Sequence, residues 1–333
     1  MNTRWAAVCA TGGAAVWAGM AVLARLGIAR IGALELLFLF APLVIVPLGI
    51  QLLRVIVVHG RSLEVASRLQ PLGGLLAVVA IRLPPGRRAG LFALAWLATC
   101  LLVAGGGIVD FIRAPWTEAN RSVRATPAVR ATGIVICIAR MDLAVGGSWL
   151  VASRLGMRPM GIQEPIGLLT AVHFHFAGFA TAMIGASTLR FAERRGEHRW
   201  LRRLVLMVAC LPVVVAAGFV FSPVLKMGAA VLFSASVAGL AIVLRTQGRK
   251  TEDATARVLL QVAAGAIFAG MLLSGAYAVA DYMGSDALTI PEMARTHGIL
   301  NAVGFCLAGL SGWLVENGDR TVVTEARSFQ TEV

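Results

Sequence analysis

Charge is scarce in this sequence. Asp, Glu, Lys and Arg make up 14% of its 333 residues, against about 25% in a soluble domain. With 58% hydrophobic residues and a mean hydropathy of +0.80, the chain belongs with polytopic membrane proteins. Lysine is almost missing: Lys226 and Lys250 stand alone, and every other basic residue is Arg. A net charge of +13 suggests nucleic acid at first sight. The arginines, however, fall in short clusters between apolar runs, and no basic face with interleaved aromatics is present. That pattern is membrane topology, and nucleic acid is not an expected partner. Paired cysteines are also lacking. Cys9, Cys100, Cys137, Cys210 and Cys306 each sit inside an apolar segment with no C-x-x-C spacing, and read as buried small hydrophobes.

Several motifs are missing too. There is no G-x-x-x-x-G-K-[ST] loop, so ATP-driven transport by this chain alone is not expected. There is no G-x-S-x-G elbow and no His-Glu-x-x-His. The run Ala104–Gly107 contains three glycines, but no helix start follows it, so it reads as a close-packing point. No polar stretch is long enough to fold alone; the longest connection covers roughly 112–130.

What the sequence does have is apolar runs near the 20 residues a helix needs to cross the hydrocarbon core. They fall at 5–24, 34–57, 69–83, 90–111, 131–151, 164–189, 203–221, 224–244, 258–281 and 297–315. The first is too long for a cleaved leader and reads as a retained helix. The second contains Pro42 and Pro47, which predict a kink. The third is the shortest, holds Gly73–Gly74 and is followed by Pro84–Pro85; it reads as a span or as a re-entrant piece. The expected architecture is an all-α transmembrane bundle of nine or ten spans. It forms one helical domain over 1–315, followed by a polar tail, 316–333.

Charge asymmetry tests the count. With ten spans, twenty of the thirty basic residues fall on one side and eight on the other, leaving Arg140 and Lys226 within or beside spans. The positive-inside rule then puts both termini in the cytoplasm. If the third run does not cross, every later loop changes sides and the bias weakens.

Polar residues inside apolar runs are the candidates for function. The stretch Thr170–Gly178, TAVHFHFAG, carries His173 and His175. Counted at about 1.5 Å per residue, both lie near the midplane, and Arg140 in CIARMDLAVGG falls at the same depth. Asp142 follows Arg140, and the two are candidates for a structural ion pair. The tenth run opens with His297, and Asn301 lies one turn on. Glu35 opens the second run, Glu164 precedes the sixth and Asp281 closes the ninth. Glu35, Arg140, Asp142, His173, His175, His297 and Asn301 therefore define an expected polar cavity in the outer half of the bundle. The alternative is a set of unrelated satisfied residues. Residues two apart on a helix point about 200° away from each other, so His173 and His175 should face different neighbours and not share one metal. Gly178 offers room for a second backbone. His59 and His198 sit in Arg-rich connections and read as solvated.

The stretch GSWLVASRLGMRPMGIQEPIGLLTAVHFHFAGFA, with HGILNAVGFCLAGLSGW near the end and ALELLFLFAPLVIVPLGIQLL near the start, resembles the bacterial YndJ-like integral membrane proteins. The run from His173 to Phe179 is the most specific of these pieces. The resemblance implies a polytopic plasma-membrane protein of a family sometimes labelled as transporters. It carries no established chemistry to particular residues. Two activities follow from the residues themselves. One is a small-solute or ion transporter with a polar midplane site. The other is a haem- or metal-binding redox protein using His173, His175 or His297. A third class, a sensor or assembly factor, has no extramembrane domain to pass a signal.

Overall fold

The computed structural model describes residues 3–56, 60–113, 127–196, 199–285 and 288–318. Ten helices among them are long and apolar enough to cross a membrane, and the described residues contain no strand. The helices are α1 (Thr3–Arg25), α2 (Ala33–Ile56), α3 (Arg61–Arg82), α4 (Arg87–Ile112), α5 (Pro127–Leu155), α6 (Ile166–Glu193), α7 (Arg199–Phe221), α8 (Pro223–Gly248), α9 (Ala254–Tyr282) and α10 (Ile290–Gly318). His59, His198, most of the 112–130 connection and the tail from 319 lie outside the described residues. Glu316 belongs to the last turn of α10, buried, with its Oε2 accepting the backbone N–H of Glu252 at 3.2 Å.

The ends of these helices follow from capping chemistry. Ser222 accepts from the backbone of Leu225 with Pro223 in the first helical position, so α7 and α8 form a tight hairpin. Asp253 caps α9 through the Ala256 N–H, and Thr289 with Glu292 forms a capping box at the start of α10.

The weakest apolar run becomes a full-length helix. α3 extends its 69–83 core back to Arg61, and Arg82 at its far end donates to the carbonyl of Arg30 in the α1–α2 connection at 3.1 Å. The end of α3 thus returns to the end of the bundle where α1 finishes. At that same end the α3–α4 and α5–α6 connections meet, through the Gly86 N–H to the Arg154 carbonyl at 2.7 Å.

Position in the bundle is graded. Only 11% of the apolar window of α1 is buried, against 89% for α2 and 72% for α6, so α2 and α6 are the central helices. Both contain wide π-helical turns, at Ala41–Ile45 and Phe174–Ala180, and α10 contains two more, at Ala294–Gly298 and Leu300–Leu307. The π turns of α2, α6 and α10 touch one another pairwise. The kink predicted at Pro42 and Pro47 takes this form. The Val46 N–H reaches back five residues to the Ala41 carbonyl. The next donor in that register would be residue 47, but proline has no N–H. The orphaned Pro42 carbonyl instead accepts from Gln70 Nε2 of α3 at 2.6 Å, which explains a buried glutamine in a membrane helix.

Candidate functional site

The two histidines of α6 face different surroundings, as their spacing predicts. His175 is fully buried in the core. Its Nδ1 lies 2.7 Å from the Ala171 carbonyl, and its Nε2 is 2.9 Å from the indole N–H of Trp96 on α4. A carbonyl only accepts and an indole only donates. The ring is therefore neutral, with its proton on Nδ1, and both nitrogens are occupied. It stacks on Trp96 at 5.8 Å and meets the edge of Phe38 from α2 at 5.3 Å. His297 follows the same logic on α10. Its Nδ1 donates to the Gly270 carbonyl of α9 at 2.8 Å, and its Nε2 accepts from Asn301 Nδ2 at 2.9 Å.

His173 differs. Its Nδ1 donates to the Leu169 carbonyl at 2.8 Å, and its Nε2 has no partner among the described residues. The ring faces a cavity of about 470 Å³ whose wall also contains His297 and Asn301. That volume lies within the range of about 300–1,000 Å³ usual for small-molecule pockets. The cavity is walled by α6 to α10 with contributions from α2 and α5. Phe221, Lys226, Asp281 and Ile290 place its mouth at the end of the bundle where α7–α8 and α9–α10 connect, and Thr181, Pro212 and Cys306 form its floor. Most of its wall is apolar. Among the described residues its only charged side chains are Lys226 and Asp281, which pair with each other at 2.7 Å, and the Lys226 ammonium also sits 5.0 Å from the Phe219 ring. The sequence offers little warning of this pair, because the two residues lie on different helices, each within a few residues of a helix end.

The remaining candidates stand apart from the cavity. Glu35 is a helix cap: its Oε2 accepts the Gly32 N–H at 2.7 Å. Glu164 does the same for α6, through the Leu168 N–H. Arg140 is not paired with Asp142. It is 1% exposed and donates through Nη1 to Asp110 of α4 at 2.6 Å, and through Nε to the Val103 carbonyl at 2.8 Å. The physical reason is spacing, since residues 140 and 142 point to opposite sides of α5. Depth is also corrected. Gly146 packs against His175 and Gly178 against Asp142, so Arg140 is level with about residue 180 of α6. That is roughly 10 Å from His173 along the axis at 1.5 Å per residue. The glycine run on α4 now has its reason: a Cβ at Gly107 would lie 3.0 Å from Arg140 Nε, and one at Gly106 would collide with its Nη2. Asp142, 2% exposed at the middle of α5, has an Oδ2 with no hydrogen-bond partner among the described residues. Gly178 makes room for this side chain, not for a second backbone.

Among the described residues no three His, Cys, Asp or Glu side chains converge to hold a metal ion. Of the three histidines considered as metal or haem ligands, His173 alone offers a ring nitrogen without breaking a bond inside the protein.

A ten-helix membrane bundle in which the π turns of three helices meet defines the class of protein. The chain belongs to the YndJ-like protein family, which matches residues 36–305. It is similar to the protein described as "Uncharacterized membrane protein YndJ" from Bacillus subtilis (strain 168), with 28% identity over 188 residues. The match covers 56% of this chain and 34% of that relative, so the chain spans about a third of the relative's length. No solved structure matches.

Proposed function

We propose that this chain is a transport protein of the bacterial plasma membrane whose solute site is the cavity beside His173. One observation carries the reading: among the described histidines, His173 alone turns a ring nitrogen without a protein partner toward a largely apolar cavity. Two further features support it. The cavity is bordered by segments of α6 and α10 that leave α-helical geometry, and π turns of this kind recur at functional sites. The cavity's two charged residues also neutralise each other, which favours a small uncharged solute over an ion. The excess of arginine on the opposite end of the bundle supports a cavity mouth that faces outside and termini that face the cytoplasm. A redox reading keeps less support, since His175 must give up Trp96 and His297 must give up Asn301 before either ligates anything.

Transport requires that the site open to each face in turn, and this is testable without knowing the solute. Ser274 lines the cavity from α9. A Ser274→Cys variant in a background without the five native cysteines is to be treated with a small membrane-impermeant thiol reagent, applied to sealed vesicles of each orientation. Labelling from both faces is expected. Labelling from the outer face alone would make the cavity a one-sided binding site and overturn the transport reading.

A further inference from the structure

From the same cavity we infer the chemical class of its occupant: an uncharged, mainly apolar molecule carrying one hydrogen-bond donor, a hydroxyl or N–H, that bonds to Nε2 of His173. This rests on the cavity being a solute site and adds what that site selects. The Leu169 carbonyl fixes the tautomer of His173. It can only accept, so the proton sits on Nδ1, 2.8 Å away. The neutral ring is exposed to the cavity and presents Nε2 there as an acceptor, and a donor that the occupant places against it makes one net hydrogen bond. An ether or ketone oxygen brings only a second acceptor to the same place.

The charged and amide groups of the wall narrow the class further. His297 spends both its nitrogens on Gly270 and Asn301, and the Asn301 amide oxygen is sealed against Gly270. Neither is open to a ligand. Lys226 and Asp281 compensate each other at the mouth, so a permanently charged solute meets no unpaired opposite charge on this wall. Phe174, Phe176, Met271 and Phe233 supply the apolar surface.

Trp149, also on the cavity wall, supplies the readout. Quenching of its fluorescence by a brominated medium-chain alcohol, and by the methyl ether of the same alcohol, is to be titrated on detergent-purified protein, with Trp149→Phe subtracted to isolate the signal. The alcohol is expected to bind roughly 2–10-fold more tightly than the ether, the factor of one net hydrogen bond. In His173→Phe, which keeps the volume and removes the acceptor, the two should bind alike. Equal binding of alcohol and ether to the parent protein overturns this inference and leaves the solute site standing. Absence of quenching by both probes overturns the solute site as well. The alcohol–ether comparison needs no variant at His173, so it decides the matter even if His173→Phe does not fold.

Discussion

At the scale of the residue, the energetic burden falls on groups that carry charge or polarity where no water reaches. Arg140 and Asp110 are unequal partners: the arginine is 1% exposed and the aspartate side chain 29%. Removing Asp110 strands a buried guanidinium, whereas removing Arg140 leaves a carboxylate that still meets solvent. Asp110→Ala should therefore cost about 3–5 kcal/mol, the loss expected when one member of a buried pair is deleted. An Asp110→Leu, Arg140→Met double variant should recover much of it, because it strands nothing. Thermal unfolding in detergent reads both, and a double variant no better than Asp110→Ala would contradict this account. Trp96→Phe is expected to cost about 1–3 kcal/mol by leaving Nε2 of His175 without its donor in the core. The sequence shows that Arg140 needs a partner, because a charge inside an apolar run is expensive. It also contains the clue to which one: Gly106, Gly107 and Asp110 share one face of α4 at helical spacing, forming a notch with an acid at its lower edge. The neighbouring Asp142 draws attention away from it only if helix direction is ignored.

Elements tell a different story, because the π turns are set by contacts between helices distant in sequence. Pro42 and Pro47 announce a disturbance in α2. Nothing in FHFAGFA or LNAVGFCL announces one in α6 or α10, and the pairwise meeting of all three is a property of the packed bundle. The glycines around these turns differ sharply in what they do. A Cβ at Gly146 would lie 2.6 Å from Nδ1 of His175, and one at Gly178 would lie 2.7 Å from the Asp142 Cβ. Gly105, in the same run as Gly106 and Gly107, has nothing within 4 Å. Gly146→Ala and Gly178→Ala should each destabilise by about 1–3 kcal/mol through overpacking. Gly105→Ala should be neutral or stabilise by up to about 1 kcal/mol through helix propensity. Melting temperatures of the three variants, measured side by side, check this; equal shifts would mean that the close approach at Gly146 and Gly178 carries no energy. Composition alone treats these glycines as interchangeable.

For the whole molecule, ten apolar runs in the sequence correspond to ten helices in the structure, with ends shifted by capping and by polar turns that join the helices at no cost to periodicity. α3 is the informative exception to reading by hydropathy alone. Its first turns, RSLEVASRLQ, are polar enough to look like a loop, yet they form helix because Gln70 is needed at the Pro42 carbonyl and Leu63 and Ala66 are buried in the core. The proposed orientation rests on this helix and on the positive-inside rule. With α3 crossing, Gly86 shares one side with the cavity mouth and Gly248 lies on the other, where the arginine excess collects. Alkaline phosphatase, active only outside the cytoplasm, should be active when fused after Gly86 and silent when fused after Gly248. A green fluorescent protein, which folds in the cytoplasm, should show the reverse. If the bundle were inserted the other way round, a fusion after Gly86 would report the cytoplasm. The mouth of the His173 cavity would then open inward, and the solute inferred here would be drawn from the cell and not from its surroundings.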